Sequence, residues 1–359
     1  MCSIGAINNL IAEQQQDIGP ARFLLRTIND VTGGIYANIT LVEDRFYVFD
    51  GQNTVVLNAC TLEEISKMPL ERGCPCKWAY RREGDNDVQY ELGSHQLIIS
   101  VVGSAVSQTI ALPPSTYSYS FGPFCERGLV VKCSSNVVYI DTQTGELLQF
   151  NNGSYIHWII LSADGRRLYL GDANNQVLEL DLKTMGQVRP CLRLSGATRA
   201  FTDSAALSPD GTRLCVAVRG LNRIDIIDTT RWAVENGMEA YYLPNILGFS
   251  GLPGQERLFY SSTSMSRVIC VAEIGPEART THCLQMPEDT HMFLCPAAHR
   301  VVAIGTTTVV VSTDTLAPVS ATTLPLTGVT AIVDRSESNE DSLVFITAGV
   351  KGYVGRLSL

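Results

Sequence analysis

The chain has 359 residues, 45% hydrophobic and 18% charged. That excludes a disordered chain and lets one domain bury about three quarters of its unfolded surface with no metal or disulfide staple. Its 27 Lys and Arg against 36 Asp and Glu leave a formal charge of -9, which argues against broad nucleic-acid binding. There is no basic leader, and no apolar run of the ~18 residues that a spanning helix requires. With eleven scattered cysteines, the expectation is reduced thiols in a cytoplasmic or nuclear protein that is not secreted.

In chain order, residues 1–20 fall outside the repeat and read as a flexible tail or a short helix, with residues 1–16 polar and unpatterned. Residues 22–28, RFLLRTI, form a spare apolar strand. From Ile35 onward, short runs rich in Val, Ile, Leu and Tyr alternate with Gly, Asn, Asp and Ser turns, the pattern of strands joined by tight hairpins. The third run of each unit begins at Val55, Leu97, Val137, Val177, Ile224, Val268, Val309 and Tyr353, spaced by 40 to 47 residues. A four-stranded propeller blade repeats every ~40–45 residues. The reading is therefore an all-β fold, a single propeller over residues 21–359 with about eight four-stranded blades. The second unit, residues 76–112, has the least regular strands and keeps seven blades as the alternative. The last unit has three runs, so residues 22–28 are expected to complete it and close the ring.

Two units carry the clearest repeat: LSADGRRLYLGDANNQVLELDLKT and LSPDGTRLCVAVRGLNRIDIIDTT. Each opens with Ser-x-Asp-Gly, at Ser162 to Gly165 and at Ser208 to Gly211. Asp-Gly between apolar runs marks a hairpin because glycine accepts positive φ. Each unit's third strand ends on an aspartate, Asp181 or Asp228, followed by threonine, and Asp141 repeats the pattern in residues 129–145. The combination resembles WD40 and the related YVTN-type β-propeller repeats, although no Gly-His or Trp-Asp dipeptide occurs. The resemblance implies a protein-interaction scaffold that binds partners through its loop faces. The alternative it implies is a small-molecule hydrolase or lactonase of the YVTN type.

Enzymatic propellers carry their chemistry on the first strand of each blade. Here those strands hold only Asp203, Asp334, His157 and His291, from scattered blades and too few to converge on a metal. Nucleophile and phosphate-binding motifs are absent, so no catalytic, metal or cofactor residue is assigned. Asp141, Asp181 and Asp228 recur with the blade and are read as turn caps. Cys74 and Cys76 are read as loop thiols, and the cysteines in RLCVAV and RVICVA as small core hydrophobes. The expected partner is a protein presenting an acidic or phosphorylated peptide. It would be received by Arg199, Arg219, Arg223 and Arg267 on neighbouring loops, whose planar guanidinium forks suit carboxylate or phosphate.

Overall fold

The computed structural model describes residues 23–28, 39–42, 45–49, 53–58, 61–69, 77–93, 95–104, 106–114, 119–194, 202–251, 255–262, 268–275, 277–286, 291–295, 299–304, 307–323, 329–335, 342–347 and 352–358. The tail read at residues 1–20, Cys74 and Cys76, and Arg199 and Arg267 lie outside them. Among the described residues the only regular elements are strands and one 3-10 turn at Arg219–Leu221, and no helix is long and apolar enough to cross a membrane.

The strands form eight four-stranded sheets among the described residues. In seven of them four consecutive strands pair in order. In the eighth, Phe23–Ile28 lies antiparallel to Gly352–Ser358, with Phe23 opposite Leu357 and Ile28 opposite Gly352, and Ser342–Thr347 and Val329–Arg335 follow. Third strands begin at Asn53, Gln96, Asn136, Gln176, Arg223, Val268, Thr307 and Gly352, each within two residues of the sequence reading. The first strand of the third sheet is Ser120–Cys125.

The chain divides into two compact units; among the described residues, one takes in 122–303 and 311–319 and the other the remainder. Within the first unit, Ile156–Leu161 packs on Thr202–Leu207, which packs on Pro244–Ser250, which packs on His291–Cys295. Within the second, Ile39–Val42 packs on both Lys77–Glu83 and Val329–Arg335. All of these are the first strands of their sheets, so within each unit these sheets meet along their first strands.

Packing in the first unit explains the unbroken apolar runs. Arg213–Val218 is the second strand of the fifth sheet. Its Leu214, Val216 and Val218 pack with Trp158, Tyr169 and Val177 of the fourth sheet. The alternate residues, Cys215 and Ala217, pack with Phe249, Leu258, Tyr260 and Cys270 of the sixth. A strand's side chains alternate between two faces. Because both faces are buried here, the sequence shows a continuous apolar stretch instead of an alternating one.

The turns follow from local chemistry. In both Ser-x-Asp-Gly loops the serine hydroxyl donates to the aspartate at 2.6 Å and accepts the backbone N–H of Arg167 or Arg213 at 2.9 Å. Gly165 and Gly211 sit at φ 66° and 72°, where a Cβ is strained. At the turn after the third strand, Asp141 accepts the N–H groups of Gln143 and Thr144, Asp181 those of Lys183 and Thr184, and Asp228 those of Thr230 and Arg231. The same turn occurs where the sequence carries other caps. Asn58 accepts from Thr61 and Ser312 from Thr315, and Leu62 and Leu316 follow at φ 57° and 59°.

Candidate interaction face

In a sheet of four consecutive antiparallel strands, the loop between second and third strands lies at the end where the chain leaves the fourth. In the fifth sheet that loop is the 3-10 turn Arg219–Leu221, closed by Asn222 in the left-handed region at φ 50°. Asparagine tolerates that conformation better than other non-glycine residues. Asn222 also binds the next connector: its carbonyl accepts the N–H of Ala240, and its side-chain Oδ1 accepts that of Leu243, both at 2.8 Å. In the fourth sheet the corresponding loop is tied to the connector that precedes the sheet, with the N–H of Ala173 donating to the carbonyl of Tyr155 at 2.9 Å. Backbone hydrogen bonds thus hold loop and connector together.

On this frame stand Tyr155, Leu221, Tyr241 and Tyr242, with exposures of 54%, 45%, 49% and 55%. They are four of the seven exposed large hydrophobic residues among the described residues, the others being Ile65, Val106 and Val188. Tyr155 is braced by an edge-on contact with the His157 ring, centroids 5.2 Å apart. Exposed aromatic side chains on a rigid frame suit a docking surface, since tyrosine offers a large amphipathic area at low entropic cost.

Of the four arginines read from the sequence, Arg219 lies in this loop and Arg223 opens the strand after it. Arg223 is committed to its own sheet: its Nε donates to Asp225 at 2.6 Å, and Asp225 is fully buried. Its guanidinium also covers Gly237, where an added Cβ would fall 1.9 Å from Nη2. The sequence reading missed the aromatic residues. The available signal was large apolar residues in turn segments, as in Ser154-Tyr155 and Tyr241-Tyr242-Leu243-Pro244.

Of the candidates on first strands, His157 offers its carbonyl to the Lys132 ammonium at 2.6 Å. Nothing is described of the side chains of Asp203, His291 and Asp334. Among the described residues no three His, Cys, Asp or Glu side chains are grouped to hold a metal ion. Buried carboxylates occur elsewhere. Asp87 receives the Tyr47 hydroxyl and the guanidinium groups of Arg82 at 2.8 Å and Arg45 at 3.0 Å. Burial alone would raise its pKa, but these donors hold it below the ordinary aspartate value. Glu179 is 1% exposed and meets Arg189 at 2.8 Å; Arg189 also lies over the Trp232 ring, 5.5 Å from its centroid.

Sheets of four antiparallel strands that meet along their first strands define the fold as a β-propeller, and comparison with solved structures agrees. The chain is similar to the β-propeller domain of Cps50 (Swd1) from Myceliophteria thermophila, with TM-score 0.56, 13% identity, and coverage of 80% of this chain and 97% of that one. It is similar to a chain of a mitotic checkpoint complex, with TM-score 0.57, 12% identity, and coverage of 81% and 90%. It is also similar to the dihydro-heme d1 dehydrogenase NirN, with TM-score 0.65, 12% identity, and coverage of 96% and 79%. No protein-family model and no curated protein matches the sequence.

Proposed function

We propose that this chain is a non-catalytic protein-interaction platform whose partner docks on the loop face of Tyr155, Leu221, Tyr241 and Tyr242. The observation that carries the reading is the exposure of four large apolar side chains on loops braced by Asn222 and Tyr155. Interfaces concentrate their energy in a few aromatic anchors and arginines. The partner segment pairs an apolar anchor with an acidic or phosphorylated side chain, received by Arg219 in the same loop. The similarity to a chain of a multiprotein assembly supports the reading at the level of fold. Free thiols at Cys125, Cys133, Cys191, Cys215, Cys270 and Cys283 support a reducing, cytoplasmic or nuclear setting.

The test is affinity purification of the tagged full chain from its native cell, with quantitative mass spectrometry of what co-purifies. The double substitution Tyr241→Ala and Tyr242→Ala should reduce recovery of the main partner at least about tenfold. Arg219→Glu should do the same most clearly at low salt. The tyrosine change should not move the melting temperature, and undiminished recovery with both would overturn the proposal. Arg223→Glu serves as the contrast. It places a second carboxylate beside buried Asp225, so it should lower the melting temperature whether or not a partner binds.

A further inference from the structure

One pair of cysteines stands apart from the core thiols. Cys270 lies on Val268–Glu273, the third strand of the sixth sheet, and Cys283 on Arg279–Gln285, the fourth. The two are directly opposite in the antiparallel register, and their sulfurs are 2.9 Å apart. Directly opposed residues have Cα atoms about 4.5 or 5.5 Å apart, and both spacings fall inside the roughly 4.4–6.8 Å that a disulfide spans. A register shift between Val271 and Ala272 adjoins the pair: Ala272 faces Thr280 and Val271 faces His282, with Thr281 bulged between. Thr281 is anchored by its hydroxyl to the Val271 carbonyl at 3.2 Å. Bulges of this kind re-aim neighbouring side chains at a sheet edge.

The two thiols differ in access. Cys270 is fully buried, opposite the equally buried Tyr260 of the second strand, whereas Cys283 is exposed on the outermost strand. The row Tyr260, Cys270, Cys283 therefore runs across one face of the sheet from core to solvent, with a sulfur at its open end.

We propose that Cys270 and Cys283 form a peroxide-oxidisable dithiol, with Cys283 as the attacking thiol and Cys270 as the resolving one. In the first step the Cys283 thiolate attacks one oxygen of hydrogen peroxide. The O–O bond breaks, the departing hydroxide takes up a proton to become water, and Cys283 is left as a sulfenic acid. In the second step the Cys270 sulfur attacks the Cys283 sulfur. The S–O bond breaks, and the leaving hydroxide combines with the Cys270 proton as a second water. Two thiols lose two electrons and one peroxide gains them. The product fastens the outermost strand of the sixth sheet to its neighbour, and a thiol reductant restores the starting pair.

The acid–base character of the pair suits these roles. The hydrogen bond from Cys270 outweighs burial and lowers the Cys283 thiol below its ordinary value, which favours the attacking thiolate there. That hydrogen bond, followed by burial, raises Cys270, which stays protonated until its partner is oxidised. Transient, sensing disulfides are the kind found in reducing compartments.

The experiment exposes the reduced full chain to graded hydrogen peroxide, blocks remaining thiols by alkylation and maps unreduced peptides by mass spectrometry. The expected first product is a peptide pair linking Cys270 to Cys283, while the other exposed described thiol, Cys191, remains alkylated. In C270A a dimedone adduct should accumulate on Cys283, and in C283S both linkage and adduct should be lost. The wild-type map stands even if a variant folds poorly. The proposal is overturned if Cys191 is oxidised while Cys283 is still alkylated. It is equally overturned if Cys283 proceeds to sulfinic acid with Cys270 still a thiol.

Discussion

Four aspartates, Asp141, Asp164, Asp210 and Asp228, sit in hairpin turns that favour their charged form. The first N–H donor lowering Asp141 is the backbone of Thr144, and for Asp228 it is the backbone of Arg231. Asp164 and Asp210 are lowered chiefly by the hydroxyls of Ser162 and Ser208. A folded pKa below the unfolded value means the unfolded chain binds more protons in acid. The stabilisation is therefore present above the unfolded value of about 3.9 and lost as pH falls through the lowered folded values. The melting temperature should be nearly flat from about pH 7 to 5 and drop steeply below about pH 4. Replacing both Asp164 and Asp210 with Ala should make that drop shallower. A scanning-calorimetry series in which wild type and double variant fall in parallel would show that these turns are not its origin.

Within the fourth sheet, Trp158 of the first strand lies against Gly171 of the second, and an added Cβ would fall 2.1 Å from the indole Cε2. The same indole fills the space between the fourth and fifth sheets with Tyr169, Val177, Leu214 and Trp232. A ring packed on all sides has nowhere to move, so Gly171→Ala should cost about 1–3 kcal/mol through overpacking. At Gly237 the obstructing group is instead the guanidinium at the end of the Arg223 stem, a jointed chain rather than a rigid ring. Chemical denaturation of the two alanine variants compares the cases. Gly171→Ala should show the lower midpoint with an unchanged slope, and equal midpoints would contradict the packing argument.

Across the whole chain, the pairing of Phe23–Ile28 with Gly352–Ser358 brings residues distant in sequence into one sheet. We propose that this strand closes the propeller and that residues 1–16 play no part in closure. Deleting 1–30 leaves Gly352–Ser358 with a row of unpaired backbone groups, and exposed edges of that kind promote aggregation. Deleting 1–16 leaves the pairing intact and should be tolerated. Size-exclusion chromatography and thermal melts separate the two outcomes, and a monomeric, cooperatively melting deletion of 1–30 would refute closure by this strand.

Much of this protein is written locally and is legible without coordinates. The 40- to 47-residue period, the Ser-x-Asp-Gly hairpins and the aspartate caps each depend on residues within a few positions of one another, so their physics is complete in a short window. The extent of the repeat was less legible, because Asn58 and Ser312 make the same turn with different side chains. The sequence alone did not determine which residues share a surface. The connector of Tyr241 and Tyr242 is tied to the Leu221 loop through Asn222, 18 to 21 residues earlier in the chain. Arg223 was read as a docking cation, yet its neighbour Asp225 is buried by the packing of whole sheets and holds the guanidinium there. Cys270 faces Cys283 through a register that the Thr281 bulge shifts by one residue. Registers, bulges and inter-sheet packing are set by contacts between distant segments, so the tertiary structure decided which loops are tied together and which cysteines stand opposite.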